Sequence, residues 1–370
     1  MDLALYHPWL KEKGGAEKVV LETAKRSEHQ VTVYTLLYDR ENTFSEFEEV
    51  NVQELSSGER PDSFLQKAMY GLKSLTASIP TDRHDKLLIS EAGLGSLIAL
   101  RNNDIPVYCY CHTPLRAALP EFKQTYRSEI STPMKPVFDI GLKIYSFLEK
   151  RAWKKFEHVL ANSETTKERI IGKGLKHGDE ITVLNPGADI ENNETGDFRK
   201  YFLYPSRFRR YKRQHLAIDA FQEAGLEDYK LVLAGSEQEE EYVEELRQKA
   251  SNLPDVEIRT DLPGDEWEEL YRNSYTVLFL AEKEDWGIIP VEAGSYGKPV
   301  IAVNEGGPTE SVVNDKTGFL VDADKYEIAE KMKELASNPE KAKVMGQEGL
   351  ENAQQYSWKN FSEKLDEVLK

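Results

Sequence analysis

The sequence has few cysteines, no long apolar run and no excess of positive charge, and each of these absences excludes a class of protein. Among its 370 residues only Cys109 and Cys111 are cysteines, too few for a disulfide framework. No run of about 18 apolar residues occurs, so no membrane-spanning helix is expected. The first residues, MDLALYHPWL, lack the basic and apolar segments of a signal peptide. We therefore expect a cytoplasmic protein.

The charge balance argues against some partners. The formal net charge is −17 and the pI is about 5.1, which disfavours the broad basic surface that binds nucleic acid. The same balance disfavours broad adhesion of the whole surface to an anionic membrane. Such acidity fits either a salt-adapted surface or a solubility device, and the charge alone does not distinguish the two.

Short apolar runs alternate with longer amphipathic stretches in the first half of the chain. The runs predicted as strands are 2–6, 31–36, 86–90, 107–111, 158–162 and 181–185. Between them lie stretches with helical periodicity, such as Gly15–Arg26 and Pro136–Phe156. This alternation predicts βαβ units and parallel sheets.

The pattern weakens at Gly187–Lys200, a polar stretch rich in Asn, Asp and Gly that we predict to be a linker. Further strands are then predicted at 201–205, 230–235, 256–260, 276–281 and 299–303. The length favours two domains, which we place at 1–190 and 198–355. The expected fold is therefore α/β, with two doubly wound domains facing across a cleft and ligands bound beyond the carboxyl ends of the strands.

The segment Ala281–Val312, AEKEDWGIIPVEAGSYGKPVIAVNEGGPTESV, begins with a polar loop that leads into a predicted helix. Gly287 permits an unusual backbone turn, and Pro290 suits the first turn of the helix. The opening amides of this helix, around Ile288 and Ile289, favour an anion.

Two carboxylates flank this helix start. Glu284 precedes the helix and Glu292 lies in its first turn. Carboxylates near a helix N-terminus stay ionised, so both remain hydrogen-bond acceptors. A nucleotide sugar needs this combination of amides for phosphate and carboxylates for ribose and sugar hydroxyls.

The next predicted strand ends in a second glycine-rich loop, Asn304–Thr309, which again precedes a helix. Gly306, Gly307 and Thr309 would form a second phosphate-binding turn. A simpler interpretation is that Glu292 only caps a helix and the glycines only make turns. Two successive strands that end in the same kind of loop favour the binding site.

A basic cluster follows the predicted strand at 201–205. Its members are Arg207, Arg209, Arg210, Lys212 and Arg213. Positive charge at a strand end suits a diphosphate, which Arg contacts in two-point fashion and Lys as a point charge. Taken alone, the cluster is explained more simply as a basic turn that is solvated or paired with acidic neighbours.

The N-terminal half contains weaker candidates. Gly14-Gly15 opens a helix without the spacing of a dinucleotide-binding fingerprint, and Gly93-x-Gly95 has only part of that spacing. Cys109, Cys111 and His112 form a C-x-C-H cluster, but no second ligand pair lies nearby. We therefore predict that the cysteines are buried small apolar side chains and expect no metal.

The stretch 134–156 is amphipathic and locally basic. The favoured interpretation is an ordinary packed helix with a solvated face. The alternative is peripheral contact with the inner membrane face, which would suit a lipid-linked acceptor.

Taken together, these residues resemble a known family. Glu284 and Glu292, with WGIIPVEA between and around them and a later Gly-Gly, are similar to the signature of retaining GT-B glycosyltransferases of family 4. Within that family the sequence resembles mannosyltransferases that build polysaccharides and lipid-linked glycans. The resemblance implies two Rossmann-like domains, with helix 356–370 crossing back to join the first.

The resemblance also implies roles for single residues. Glu292 would bind the ribose hydroxyls, Glu284 would face the donor sugar, and Arg207 with Lys212 would clamp the diphosphate. Ser206 stands where the family usually has glycine. In the N-terminal half, His112 would approach the transferred sugar.

Further donor-binding positions follow from the same resemblance. Arg116 would contact donor or acceptor, and the loop of Gly14 and Gly15 would face the diphosphate and the acceptor. The remaining predicted donor contacts are Trp286, Gly287, Ile288, Ile289, Gly306, Gly307 and Thr309.

The resemblance implies a retaining, metal-independent hexosyltransferase that needs no cofactor beyond its nucleotide-sugar co-substrate. We expect GDP-mannose as the donor and a glycan or lipid-linked acceptor, while UDP-glucose remains an alternative donor. Two other functions stay open: a GT-B nucleotide-sugar 2-epimerase and a non-catalytic nucleotide-sugar binding subunit.

Overall fold

The computed structural model describes residues 1–56, 64–191 and 193–370. The chain forms two compact units, one of Met1–Pro186 with Trp358–Lys370 and one of Gly187–Ser357. The first unit thus ends at Pro186, where we predicted 190, and the second begins at Gly187, where we predicted 198.

The first unit contains a parallel sheet covered by helices. Its strands are β1 (Asp2–Tyr6), β2 (Gln30–Thr35), β3 (Asn51–Glu54), β4 (Lys86–Ala92), β5 (Val107–Thr113), β6 (His158–Ala161) and β7 (Ile181–Val183). The helices of this unit within residues 1–186 are α1 (Gly15–Arg26), α2 (Phe64–Thr76), α3 (Pro120–Glu129), α4 (Lys135–Trp153) and α5 (Glu164–Gly172). Within the described residues, the strand order is β3-β2-β1-β4-β5-β6-β7, and each pair is parallel.

The strand order reverses between β1 and β4, since the chain builds β2 and β3 on one side of β1 and then returns to the other. In doubly wound sheets this reversal opens a crevice at the carboxyl ends of the strands, where ligands bind. Side chains at the ends of β1, β4 and β5 are therefore placed close together.

The second unit repeats the plan with β8 (Tyr201–Pro205), β9 (Lys230–Gly235), β10 (Val256–Thr260), β11 (Thr276–Phe279), β12 (Val300–Val303) and β13 (Gly318–Val321). Their order is β10-β9-β8-β11-β12-β13, with parallel pairing along the described chain. The helices are α6 (Gln214–Ala224), α7 (Glu240–Ala250), α8 (Gly264–Asn273), α9 (Ile289–Ser295), α10 (Pro308–Ser311), α11 (Lys325–Ser337) and α12 (Pro339–Ala353). The predicted α/β fold with two doubly wound sheets is confirmed.

The last helix, α13 (Trp358–Leu369), packs in the first unit. Phe361 and Leu365 lie in one apolar cluster with Leu3 and Leu5 of β1. The Asp366 carboxylate accepts hydrogen bonds from the Ser27 hydroxyl, at 2.6 Å, and from the Glu28 amide, at 2.8 Å. Both apolar burial and polar contacts therefore hold this helix on α1 and β1.

The predicted linker is built into the second unit. The amide of Gly196 donates to the Arg272 carbonyl at 3.1 Å, and that of Arg199 donates to the Asn273 carbonyl at 3.0 Å. The fully buried Lys298 amine donates to the Asp197 carbonyl at 3.0 Å and lies 3.8 Å from the centre of the Phe198 ring. The predicted linker therefore belongs to the second unit, whose residues form hydrogen bonds with its backbone at Gly196, Asp197 and Arg199.

Across the described residues, no helix is both long enough and apolar enough to cross a bilayer.

We predict that Lys298 makes the stability of the second unit depend on alkaline pH. Burial lowers the pKa of Lys298 from 10.5 to about 8. Its contribution to stability is therefore fully present above the unfolded value of 10.5 and is lost as the pH falls through about 8. In urea denaturation, the wild type should gain stability over Lys298→Met between pH 8 and 10.5. Lys200→Met replaces an exposed lysine of the 187–200 stretch, and its stability should follow that of the wild type. Parallel curves of stability against pH for all three proteins would contradict the prediction.

Candidate functional site

An ion pair lies at the carboxyl edge of the second sheet. After β8 the chain makes a short turn at Arg210–Lys212, and after the neighbouring parallel strand β11 it enters the loop that contains Glu284. Because the two strands are adjacent and parallel, both loops start at the same edge. The Lys212 amine donates to the Glu284 carboxylate, and the two side chains are 9% and 17% exposed.

The surroundings of Lys212 fix its position. The Tyr204 hydroxyl, at the end of β8, donates to the Lys212 carbonyl and accepts the Leu280 amide at 3.1 Å. The Lys212 amine also lies 5.4 Å from the centre of the Phe279 ring and 5.2 Å from that of Tyr211. This cation is thus held in place between a carboxylate and aromatic faces, where it can contact an anion.

Three arginines of the basic cluster have partners other than Glu284. Arg209 donates to the Gln238 side chain at 3.1 Å. Arg210 pairs with Glu245 at 2.6 Å, and Arg213 pairs with Glu305 at 3.0 Å. Arg210 and Arg213 are thus paired with acidic neighbours, as the simpler interpretation predicts, whereas the side chain that accepts from Arg209 is a neutral amide. Arg207 is partly buried at the start of the turn, and its role in a diphosphate clamp stays a prediction.

Glu292 lies in the first turn of α9, as the sequence predicts. The Tyr271 hydroxyl, from α8, donates to Oε2 of Glu292 at 2.7 Å. Burial, followed by the charge of Glu292, holds the pKa of Tyr271 well above its usual value, so the hydroxyl remains a donor. The Tyr271 ring stacks on Tyr296 with centroids 5.5 Å apart. Tyr271 therefore orients one oxygen of Glu292, a contact that no local pattern in the sequence indicates.

The glycines of the two loops are required by close backbone packing. A Cβ on Gly306, whose φ is +65°, would lie 2.3 Å from the Glu284 carbonyl oxygen, and one on Gly307 would lie 2.1 Å from the Trp286 carbonyl oxygen. The Gly307 amide donates to the Glu284 carbonyl at 2.9 Å. These contacts alone require glycine, so the predicted phosphate contacts are an additional role that stays a prediction.

Gly287 is also confined by its surroundings. Its φ is +75°, and a Cβ would lie 2.5 Å from the Phe279 ring. The Thr309 hydroxyl is exposed and donates to the Gly306 carbonyl at 2.7 Å.

Three predicted donor contacts have apolar side chains that pack in the interior. Trp286 is 4% exposed and lies in a cluster with Val291, Ile288 and other apolar residues, while Ile289 belongs to the main core of the second unit. Their side chains stabilise the unit, so donor contact would involve their main-chain atoms.

His112 lies near the end of β5 in the first unit and is 9% exposed. Its Nε2 is 2.8 Å from the Ser90 hydroxyl, which in turn is 2.9 Å from Nδ1 of His7. Burial and the neighbouring His7 lower the pKa of His112 to about 3, and burial lowers that of His7 to about 4. Both rings are therefore neutral at pH 7. We missed His7 and Ser90, although each lies at the end of a predicted strand.

The loop that contains the weak Gly93-x-Gly95 pattern contacts the buried carboxyl group of Glu91. Glu91 accepts hydrogen bonds from the amides of Gly93 and Ser96. Burial raises its pKa to about 7. The Gly93 carbonyl in turn accepts from the Tyr145 hydroxyl, so this loop is fixed by its own polar contacts.

The remaining candidates of the first unit lie near helix starts. Gly14 precedes α1, and a Cβ there would lie 2.4 Å from Oε2 of Glu17; Gly15 faces open space. The Arg116 guanidinium lies 5.1 Å from the centre of the Phe122 ring. Their predicted contacts with donor or acceptor stay predictions.

Cys109 and Cys111 are fully buried and form no disulfide, which confirms the prediction that they are buried small side chains. Throughout the described ranges, no three or more His, Cys, Asp or Glu side chains are grouped to hold a metal ion.

We predict that Gly307→Ala destabilises the second unit by about 2 kcal/mol or more, because the new methyl group would overlap the Trp286 carbonyl. Gly264→Ala is the matched control, since a Cβ there meets nothing within 4 Å. Gly264 begins α8, so alanine should change stability by less than about 0.5 kcal/mol. Thermal unfolding measures both effects, and equal stability of the two variants would contradict the proposed packing.

Curated relatives align with all or part of the chain. An α-1,3/1,6-mannosyltransferase ALG2 from Dictyostelium discoideum is 26% identical, with 100% of this chain and 98% of that protein covered. The ALG2 protein of Candida glabrata is also 26% identical, over 94% of this chain and 88% of its own length. A D-inositol 3-phosphate glycosyltransferase from Corynebacterium urealyticum is 26% identical over 52% of each protein.

Solved structures share the fold. The Anabaena protein HepE, in complex with UDP and glucose, superposes with a TM-score of 0.76 at 20% identity and covers 100% of this chain and 99% of its own. Sucrose-phosphate synthase from Thermosynechococcus elongatus gives a TM-score of 0.78 at 16% identity, with 100% and 98% covered. At these identities the likeness establishes the fold.

Two family models account for nearly all of the chain. Residues 13–192 match the model described as Glycosyltransferase Family 4, and residues 188–352 match Glycosyl transferases group 1. The two adjoining matches follow the two units of the structure. The chain belongs to the GT-B glycosyltransferases of the group 1, family 4 type.

Proposed function

We propose that this glycosyltransferase transfers mannose from GDP-mannose, with retention of configuration, to a glycan or lipid-linked acceptor. The observation that carries the proposal is the Lys212–Glu284 pair, which sets a positioned cation and a carboxylate at the carboxyl edge of the second sheet. The full-length relatives named α-1,3/1,6-mannosyltransferases support mannose as the sugar.

Lys212 and Arg207 would stabilise the diphosphate as it leaves. Negative charge grows on the bridging phosphate oxygen when the bond from the sugar C1 breaks, and cations preorganised at that point lower the barrier. Lys212 is already fixed by Glu284 and by the Tyr204–Lys212 contact, so little reorganisation is needed. Because these side chains supply the positive charge, the proposed mechanism requires no metal ion.

Glu284 and Glu292 would bind hydroxyl groups of the donor. Tyr271 holds Oε2 of Glu292 and so orients the carboxylate, which would accept hydrogen bonds from ribose hydroxyls. Glu284 would accept from the sugar while it holds Lys212 against the diphosphate. His112, neutral at pH 7, would bond the transferred sugar without adding a charge.

Retention follows if the acceptor attacks from the face that the diphosphate leaves. The acceptor oxygen bonds to C1 as the C1–phosphate oxygen bond breaks, and the acceptor proton passes to the departing diphosphate. This route needs no dedicated protein nucleophile. GDP and the α-linked product would be released.

We expect Lys212→Ala to lower the rate of mannosyl transfer by about 10²–10³-fold, the size typical for removal of one preorganised charge-stabilising group. Arg210→Ala is the matched control, since Arg210 lies in the same turn but pairs with exposed Glu245. Its rate should stay within about two-fold of the wild type. Near-normal transfer by Lys212→Ala would contradict the site.

Donor identity is tested by thermal shift with GDP-mannose, UDP-glucose and other nucleotide sugars. The true donor at 100 times its dissociation constant should stabilise the protein by about 2.7 kcal/mol. A UDP-sugar, such as the UDP-glucose in a complex of the Anabaena protein, would overturn the mannosyl assignment if it alone stabilised the chain. Incubation of the donor without acceptor separates transfer from 2-epimerisation, which would yield an epimer.

The exposed face of α4 supports a membrane-bound acceptor. Ile140, Ile144 and Phe147 are 59%, 57% and 59% exposed. Within residues 135–156 the exposed charged side chains are all basic: Lys143, Lys150, Arg151, Lys154 and Lys155. The two acidic side chains are paired, Asp139 with Arg127 and Glu149 with Lys173.

The opposite face of α4 packs inward through Phe138, Leu142 and Tyr145, so the packed-helix interpretation is confirmed for that side. An apolar stripe rimmed by cations, in a chain of net charge −17, fits the boundary of an anionic bilayer. We propose that α4 docks on the membrane that carries the acceptor.

We expect the wild type to co-sediment with vesicles that contain phosphatidylserine, and Ile140→Gln/Ile144→Gln to bind at least about ten-fold more weakly. The reason is the loss of apolar area buried in the bilayer. Val344→Gln removes an exposed apolar side chain on α12 and should bind like the wild type. No binding by the wild type, or equal binding by all three proteins, would contradict docking through α4.

A further inference from the structure

Three buried polar side chains form a chain across neighbouring strands of the first unit. His7 follows β1, Ser90 lies in β4 and His112 lies in β5, which are consecutive in the sheet. Their exposed fractions are 1%, 2% and 9%. One hydroxyl group thus lies between two imidazole rings, 2.9 Å from Nδ1 of His7 and 2.8 Å from Nε2 of His112.

The number of protons restricts how this chain is bonded. Both rings are neutral at pH 7, since burial lowers both pKa values below 5. A hydroxyl has one proton and two acceptor lone pairs. When the Ser90 proton is used in these two contacts, the hydroxyl donates to one ring and accepts from the other. If Nδ1 of His7 donates to Ser90, then Nε2 of His112 must accept and His112 carries its proton on Nδ1. If Ser90 donates to His7 instead, both rings carry their protons on Nε2.

We propose that Ser90 is a positioning residue that locks the ring of His112 and forces it into the same tautomer as His7. The proposal rests on the proposed function, in which His112 contacts a hydroxyl of the transferred sugar. Ser90 occupies Nε2, which leaves Nδ1 for that hydroxyl. A locked tautomer makes Nδ1 either a donor or an acceptor, so the ring presents one defined hydrogen bond.

The packing around His112 supports a fixed ring. The Tyr110 ring contacts it edge-on with centroids 5.0 Å apart. The Tyr110 hydroxyl is itself held by the Leu184 carbonyl at 2.8 Å. The imidazole is therefore confined on one side by an immobile aromatic ring and at Nε2 by Ser90, and both constraints act before any ligand arrives.

The tautomers can be measured without any activity. Long-range ¹H–¹⁵N correlation spectra of histidine-labelled full-length protein at pH 7.5 should show His7 and His112 each as a single tautomer of the same kind. In Ser90→Ala the His112 nitrogens should shift towards averaged values. Opposite tautomers in the wild type, or unchanged His112 nitrogens in the variant, would overturn the proposal.

The matched control is Ser74→Ala. Ser74 is a buried serine of the same unit whose hydroxyl bonds to Tyr6 and to the Tyr70 carbonyl, so His112 should keep its wild-type spectrum. Ser90→Cys keeps the shape of the side chain with a somewhat larger atom, and its thiol is a weaker hydrogen-bonding group than the hydroxyl. If Ser90→Ala does not fold, Ser90→Cys must still shift the His112 nitrogens.

The kinetic test separates this proposal from the proposed function. Ser90→Ala should lower kcat for transfer about ten-fold with KM for the donor nearly unchanged, and Ser90→Thr, which keeps the hydroxyl, should recover most of the rate. A full rate for Ser90→Ala would overturn the kinetic part of the proposal. Full activity of His112→Ala would refute the role of His112 in transfer, whereas the matched tautomers would still be observed.

Discussion

The Lys212–Glu284 ion pair is the contact on which the carboxyl edge of the second unit depends. Charges removed from water destabilise a fold unless each is paired and hydrogen-bonded. Here the pair joins the loops after two adjacent parallel strands, while Tyr204 ties the same loops together through the Lys212 carbonyl and the Leu280 amide. The glycines at 306 and 307 bring a third loop against the backbone beside Glu284. The ion pair, the Tyr204 hydroxyl and the close packing at the glycines therefore set the spacing of the three loops together.

The first unit has the same strand plan but a different chemistry at its edge. His7, Ser90 and His112 are neutral and satisfy one another, and Glu91 is held by main-chain amides. The second unit instead concentrates charge. This difference fits the proposed roles, in which the positioned cation Lys212 stabilises the diphosphate and the neutral His112 bonds to the sugar.

Much of the fold could be predicted from the sequence, because buried parallel strands read as apolar runs. The strand β3, Asn51–Glu54, was missed because it is an edge strand that is largely exposed. The predicted linker belongs to the second unit because its polar backbone is satisfied by distant residues such as Lys298. The contacts of Tyr271 and Ser90 could not be found from local pattern, since their partners are remote in sequence and meet only through strand register and helix packing. Glu292 could be placed, because proline and the first turn of a helix are local signals.

The position of α13 has a consequence for how the protein is made. The first unit contains the first residues of the chain and also its last helix, whose Phe361 and Leu365 fill the core beside β1. A ribosome therefore finishes the whole second unit before it supplies the last piece of the first. Residues 1–186 must wait with an unfilled apolar face while about half of the chain is translated. The second unit is thus synthesised before the first unit can bury the apolar face that α13 covers.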